Sequence, residues 1–378
     1  MSPRPRSPVL RLAGALAEAH VLEVCGSGGV GKTTTAAALG LRAAQGGRRV
    51  LVCTIDPSRR LATSLGLQSL SGRPRVLDIG VLGPSRGGTL SAMTLDTKGT
   101  FDALVERYAK DETARKRILQ NRFYREVSAA LSGSHEYMAM EKLLELADDD
   151  RYDLVVLDTP PTRHALDFLE APDRLLSFLD SSVLRFFLRP YFVAGRLTLK
   201  VATRTGALAL KLADRFLGLQ FLQDLSEFFL AFESMYDGFK ERAEKVFALL
   251  RDETSGFVLV AGPSGAALDE ALYFHGRLKE KRIPFVAFVV NRTHPLAAPG
   301  KRSPRAPLPD LPGDLQDRLL AVRHDYRRLA LAEVKAVARL EVDTGMAPIL
   351  VPELEADVHD LRGLHERRKL PRYTEPSP

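Results

Sequence analysis

The stretch CGSGGVGKTTT, residues 25–35, decides how the rest of the chain is read. Within it, Gly26-Ser27-Gly28-Gly29-Val30-Gly31-Lys32-Thr33 satisfies G-x-x-x-x-G-K-[ST] in full. Glycines let the backbone curl until successive N–H groups point at one anion, and a helix that starts there adds the positive end of its dipole. Lys32 then reaches the outer phosphates of a nucleotide, and the Thr33 hydroxyl is placed to ligate Mg2+. Thr34, the next residue, is grouped with the nucleotide-binding residues. The mechanism demands a strand before the loop and a helix after it. HVLEVC is a short apolar run, and KTTTAAALGLRAAQGG is rich in Ala and Leu and closed by two glycines, so both flanks are present. An ordinary glycine turn is the competing reading, and it explains neither flank.

Working outward, RRVLVCTID, TLSAMTLDT, YDLVVLDTPP, SGFVLVAG, IPFVAFVVNR and MAPILVPE are further short apolar runs, separated by helical patterns. Such spacing indicates βα units and a mostly parallel, doubly wound sheet covered on both faces. The expected organisation is one phosphate-loop α/β domain over 20–378, with a discontinuous core near 20–97, 151–164 and 255–366. Residues 98–150 and 165–250 interrupt the rhythm with nearly continuous helical patterning. There Leu208, Leu212, Phe216, Leu219 and Leu222 fall three or four apart and share a face, and Leu225, Phe228, Phe232, Met235 and Phe239 extend the pattern. This reads as a helical subdomain inserted into the α/β domain. The segment 294–314 is basic and proline-rich and is expected to form a mobile surface loop, with 367–378 as a tail.

Bulk properties narrow the class. A chain of 378 residues that is 45% hydrophobic can bury a large core, and its net charge of +7 permits contact with nucleic acid or anionic lipid without requiring either. Two cysteines, Cys25 and Cys53, cannot make a disulfide framework or a four-cysteine zinc site within one chain, and both sit in apolar runs that suit core packing. No run reaches the roughly 18 uncharged apolar residues of a membrane span. The N-terminal stretch makes a poor signal peptide, so a cytoplasmic protein is expected.

A nucleotide hydrolase also needs carboxylates near the metal and the attacking water. DLVVLDTPP ends an apolar run in Asp158, where a metal-supporting acid belongs, and VLVCTIDPS ends another in Asp56, placed to orient water toward the γ-phosphate. In a parallel sheet the C-terminal strand ends gather beside the phosphate loop. For either aspartate alone, a strand-end turn or helix cap is the plain alternative.

With these residues assembled, the sequence resembles the arsenical-pump (ArsA) ATPase family, which includes the targeting ATPases of the guided entry pathway for tail-anchored membrane proteins. The stretches that carry the resemblance are GSGGVGKTTTAAALGLRAAQGGRRVLVCTIDPS, TLSAMTLDT, DTPPTRHALDFLEAP and FVVNRTHP. The resemblance implies a Mg2+-dependent ATPase in which Asp56 activates the hydrolytic water and Asp158 with Thr159 to His164 senses the γ-phosphate. Asn291 would recognise adenine, and Val351 to Glu355, Pro352 included, would form a loop beside the base. A side-chain amide can both donate to a ring nitrogen and accept from the exocyclic amine. The family pairs two nucleotide domains whose ATP-driven closure rearranges client-holding helices. With one phosphate loop here, the second domain would come from another chain.

Two departures bear on function. Family loops read K-G-G-x-G-K, and the first lysine reaches the partner's phosphates; here Ser27 stands there, with a hydroxyl but no positive charge. This leaves open a slow homodimer or a heterodimer with a lysine-bearing paralogue. The C-x-x-C zinc clip of the targeting branch is absent, and the basic proline-rich segment takes its place. Apolar faces over 180–240 could hold a client helix or simply pack together. Arg185, Arg189, Arg196, Lys200, Arg204, Lys211 and Arg215 form either solvated surface or a contact with lipid head groups, so a hydrophobic client or a membrane partner is expected and nucleic acid is not. An ATPase energising an anion exporter, a ParA- or MinD-like partitioning or positioning ATPase, and a weakly active half of a heterodimer are the alternatives. His164 falls in the switch motif, whereas His135 has no metal-ligand spacing.

Overall fold

β-branched and leucine-rich runs that are apolar at most successive positions have no polar face to turn to water, so they form strands buried on both sides. Six such runs and two shorter ones build one eight-stranded sheet. The strands are β1 (Val21–Gly26), β2 (Arg49–Thr54), β3 (Arg75–Leu77), β4 (Thr89–Thr94), β5 (Leu154–Asp158), β6 (Ser255–Ala261), β7 (Phe285–Thr293) and β8 (Ile349–Pro352). Their order is β3-β4-β2-β5-β1-β6-β7-β8, and every pairing is parallel except β3 with β4. The mostly parallel α/β class expected from the sequence is therefore the fold. The computed structural model describes residues 7–56, 58–83, 86–121, 124, 134–160, 236–294, 311–354 and 356–367. Switch residues 161–164, the apolar series from Leu208 to Met235, the basic series from Arg185 to Arg215, residues 295–310 and Glu355 lie outside them, as do the side chains of His135 and Phe239.

The described residues fall into two units, one holding the sheet and the other holding residues 95–148 and 236–249. In the first, helices α1 (Pro8–Glu18), α2 (Lys32–Gln45) and α3 (Arg60–Ser64) contribute Leu16, Ala36, Leu39 and Leu61 to a core over one face of the sheet. Leu22, Val24, Val50, Val52, Val156 and Val258 supply the strand side of that core. Helix α1 precedes residue 20, so the core begins earlier than the motif pattern indicated; its Leu16 is buried and its carbonyl accepts from Arg48. In the second unit, α4 (Thr97–Tyr108), α5 (Glu112–Gln120), α6 (Ser134–Ala147) and α7 (Tyr236–Arg251) are described. Asp96 and Asp111 cap α4 and α5 by accepting from the N–H groups of Gly99 and Ala114. Glu141 of α6 is buried and takes bonds from Tyr137 and from Arg242 of α7, and Arg242 also donates to Tyr108 of α4. These shared bonds make the buried charge tolerable and tie three helices together.

The chain completes the sheet unit with α8 (Gly265–Glu280), α9 (Gly313–Thr344) and α10 (Leu361–Arg367). Ser264 caps α8, whose Leu268, Ala271, Phe274 and Leu278 are buried. Helix α9 is 32 residues long, and only Ala330, Glu333 and Leu340 on it are buried.

A carboxyl sits within the central strand β1. Glu23 on β1 is fully buried, with Leu157 and Phe257 beside it in register and no hydrogen-bond partner on either carboxyl oxygen. Burial raises its pKa well above the usual carboxylate range, so the folded state holds the proton that the unfolded state releases. Its contribution to stability is full below about pH 4.3, the unfolded value, and declines as pH rises toward the folded one. Replacing Glu23 by Gln should flatten that decline in unfolding midpoints measured from pH 4 to 8. An unchanged slope would show that the charge cost lies elsewhere.

Candidate functional site

The phosphate loop leaves β1 and enters α2 through Gly31, whose φ of 92° is a left-handed conformation that glycine adopts without strain. Space fixes the loop as firmly as torsion does. A Cβ on Gly26 would stand 1.9 Å from the Val260 carbonyl oxygen of β6, and one on Gly31 would stand 2.4 Å from the Asn291 amide nitrogen of β7. Asn291 donates that amide to the Val30 carbonyl at 2.7 Å, so the loop is pinned to the end of β7. The first N–H groups of α2 have no acceptor within the helix and face the loop's concave side. Lys32 is buried at the start of α2 and donates to the Ser27 carbonyl at 2.8 Å.

Strand pairing delivers the carboxylates. Asp158, the last residue of β5, is paired with Val24 of β1 and Thr54 of β2. The Thr54 hydroxyl donates to its Oδ2 at 2.9 Å, while Oδ1 is buried without a partner. Burial pushes its pKa up to about 6, against the lowering effects of Thr33, Thr54 and Lys32. Burial likewise lowers the pKa of Lys32, with Asp158 opposing it most strongly. Two residues beyond β2, Asp56 accepts from the Ser58 N–H at 2.9 Å and stands 3.9 Å from the exposed guanidinium of Arg60. Its charge acts on both Lys32 and Asp158, so the three side chains share one electrostatic neighbourhood.

These residues fit a metal-bound nucleotide. A buried oxygen without a partner, on a carboxyl that burial destabilises as an anion, is the donor a hard cation completes, and the Thr33 hydroxyl stands on the same carboxyl. Two clefts flank the loop. One of about 410 Å³ is lined by Ser27, Gly28, Gly29 and Val30 together with Asn291 and Arg292. The other, about 100 Å³, lies between Gly31, Thr34, Asn291 and the Pro352–Leu354 turn after β8. The structure brings the loop residues 26–34 together with Asp56, Asp158, Asn291 and Pro352, while residues 161–164 of the switch motif and Glu355 lie outside the described residues. It places Lys32, Thr33, Asp56 and Asp158 on one side of the loop, and Thr34, Asn291 and Pro352 on the other.

Three supporting residues escaped the sequence reading. Thr54 holds Asp158, and its position before the strand-end aspartate was the available signal. His294 follows β7, its N–H donates to Glu333 Oε2 at 2.8 Å, and its Nδ1 lies 2.7 Å from Glu333 Oε1. Its Nε2 lies 3.2 Å from Glu353 Oε2, and the Glu353 N–H donates to the Thr293 carbonyl at 3.0 Å. The turn beside Pro352 is thereby latched to β7 and α9. Glu333 stands some forty residues along the chain from His294, a distance no local pattern bridges.

A P-loop nucleotide-binding protein is the class this geometry defines. The anion-transporting ATPase (ArsA) family matches residues 19–302, and the chain belongs to that family. It is 30% identical to the ATPase GET3C of Arabidopsis thaliana over 287 residues, 71% of this chain and 66% of that protein. It is 27% identical to the ATPase ASNA1 homolog 2 of Paramecium tetraurelia, over 71% of this chain and 74% of the relative. With the ATPase get3 of Aspergillus terreus it shares 32% identity over 151 residues, 39% of this chain and 42% of the relative. The chain therefore spans just under two thirds of the Arabidopsis protein and under half of the Aspergillus one.

Asn291→Ala should weaken nucleotide binding about 5- to 150-fold, the equivalent of about 1–3 kcal/mol for a lost buried bond, as read by calorimetric titration. Binding at the wild-type level would show that the loop holds its shape without β7. Asp158→Asn should raise the unfolding midpoint of the nucleotide-free chain by removing a poorly solvated charge, yet abolish any further rise on adding Mg2+ and ATP together. A preserved Mg2+-dependent rise would remove Asp158 from the metal's surroundings.

Proposed function

We propose that this chain hydrolyses ATP with Mg2+ and uses the nucleotide state of a dimer to move its helical unit. The observation that carries the reading is the shared neighbourhood of Lys32, Asp56 and Asp158 at the start of α2. In this reading Asp56 orients water in line with the γ-phosphorus and receives its proton as the new P–O bond forms. The bond to the β-phosphate oxygen breaks, and Lys32 with the loop N–H groups stabilises the charge gathering there. Thr33, and Asp158 directly or through water, would hold Mg2+, which would supply positive charge to the phosphates. Asn291, whose amide is anchored on Val30 beside the loop, recognises adenine, and Pro352 borders the base.

Ser27 makes the dimer the point of interest. A serine offers one neutral donor where a lysine would offer charge, so the lone chain turns over slowly or works with a lysine-bearing paralogue. The helical unit, 98–150 and 165–250, is read as the part that takes a hydrophobic client helix, a role that rests on likeness to the family. Among the described residues no helix is long and apolar enough to cross a membrane. A cytoplasmic protein that meets membranes at its periphery fits this role. The family's anion-transporting description supports a second reading, in which the same ATPase energises an exporter. Both cysteines are buried in β1 and β2, so the helical unit offers arsenite no thiol, which counts against arsenite as the anion.

Turnover of the purified chain, measured at high concentration, tests the proposal. Lys32→Ala should abolish ATP binding, whereas Asp56→Asn should keep binding and lower turnover about 10²- to 10⁴-fold. Ser27→Lys should raise the turnover of the lone chain. Binding without turnover in the wild type would assign the chain to a heterodimer, and turnover that survives Asp56→Asn would refute its role.

A further inference from the structure

The first half of α9 is a long exposed helix that carries an apolar seam. Leu315, Leu319, Val322, Tyr326 and Leu329 are spaced 4, 3, 4 and 3 apart, the heptad pattern that puts side chains on a single stripe. All five are between 39% and 67% exposed. The stripe continues through Glu333, Ala336 and Leu340, and there it is buried or half-buried where α9 packs on α8 and β7. One seam therefore starts beyond the end of its own support. From Leu315 to Leu329 it spans about 21 Å of helix and stays largely open to solvent, with the Tyr326 ring edge-on to His294 at 5.2 Å between centroids.

We infer that this seam pairs with the same seam of a second copy of the chain, in antiparallel register. The residues beside the seam choose both the occupant and the direction. Arg318 and Asp325 precede Leu319 and Tyr326, and Gln316 and Arg323 follow Leu315 and Val322. A parallel pair would set Arg318 against Arg323 of the other copy, twice, and repel. An antiparallel pair sets Arg318 against Asp325 of the other copy, twice by symmetry, and leaves Gln316 facing Arg323. Asp325 is exposed and stands 3.7 Å from Nδ1 of the equally exposed His324, which leaves the carboxylate able to turn. In this register Leu315 lies opposite Tyr326, and Leu319 opposite Val322. A seam of four turns is smaller than a stable interface of about 1,600 Å². It adds to the nucleotide-driven dimer proposed above, and the inference rests on that reading.

The test uses the full chain, whose own cysteines are both buried, so that introduced thiols are the accessible ones. Leu315→Cys and Tyr326→Cys chains of different tagged mass are mixed with Mg2+ and ATP and oxidised mildly. The expected product is a disulfide joining the two variants, at least about tenfold more abundant than either variant joined to itself. Like positions stand about 16 Å apart along the pair, too far for a disulfide. Arg318→Asp should cut the yield several-fold, and adding Asp325→Arg should restore it. Self-joined products in excess, no disulfide, or no rescue by the double exchange would overturn the inference. Sedimentation of the wild-type chain with ATP separates the two failures. A dimer without the disulfide rejects the seam alone, and a monomer rejects the dimer reading.

Discussion

The contact on which the site depends is the one between the Asn291 amide and the Val30 carbonyl, made possible because Gly31 has no side chain. A loop that presents N–H groups inward must expose its carbonyls elsewhere, and one of these is buried against the end of β7. A buried carbonyl without a donor is costly, so the loop keeps its curl only while β7 supplies the amide. The Gly26 approach to β6 acts at the loop's other end. The sheet order follows from this demand, because β1 must lie beside β6, and β6 beside β7, for both contacts to form. The loop is thus shaped by strands distant in sequence as well as by its own glycines.

Electrostatically the site holds two charges that burial disfavours. Asp158 and Lys32 are both taken from water, each shifted toward its neutral form by burial, and each partly compensates the other. Thr54 fixes the aspartate through one oxygen and leaves the second free to interact. Side chains held in this way are already oriented, so a bound cation and phosphate meet groups that need little rearrangement. Glu23, two residues before Cys25 on the same strand, is a cost of another kind. It is buried without partners, and no role in the site follows from its position.

Most of this was legible in the sequence for identifiable reasons. Runs such as VLVC and LVVL are apolar at every position, which marks central parallel strands, and they fall within β2 and β5. The phosphate loop and its two aspartates carry chemistry in a fixed order along the chain, so their convergence could be anticipated. What escaped notice has a common cause. The edge strand β3 is three residues long and exposes two of them, too short for an alternation to show. Helix α1 lies in the stretch that fits a signal peptide poorly, and with Leu16 as its buried residue its place against the sheet is set by tertiary packing. Thr54 and the His294–Glu333 latch depend on which strands and helices become neighbours, and a local pattern cannot state that.

The placement of the two thiols has a practical consequence. Cys25 and Cys53 lie on β1 and β2 at the middle of the sheet, and burial holds the Cys25 thiol far from ionisation. Neither can meet an alkylating reagent until its strand separates from its neighbours. Labelling of the native chain therefore acts as a clock for the opening of the central strands. Because β1 leads straight into the phosphate loop, nucleotide should slow that clock at Cys25 by the full factor with which it favours the closed state.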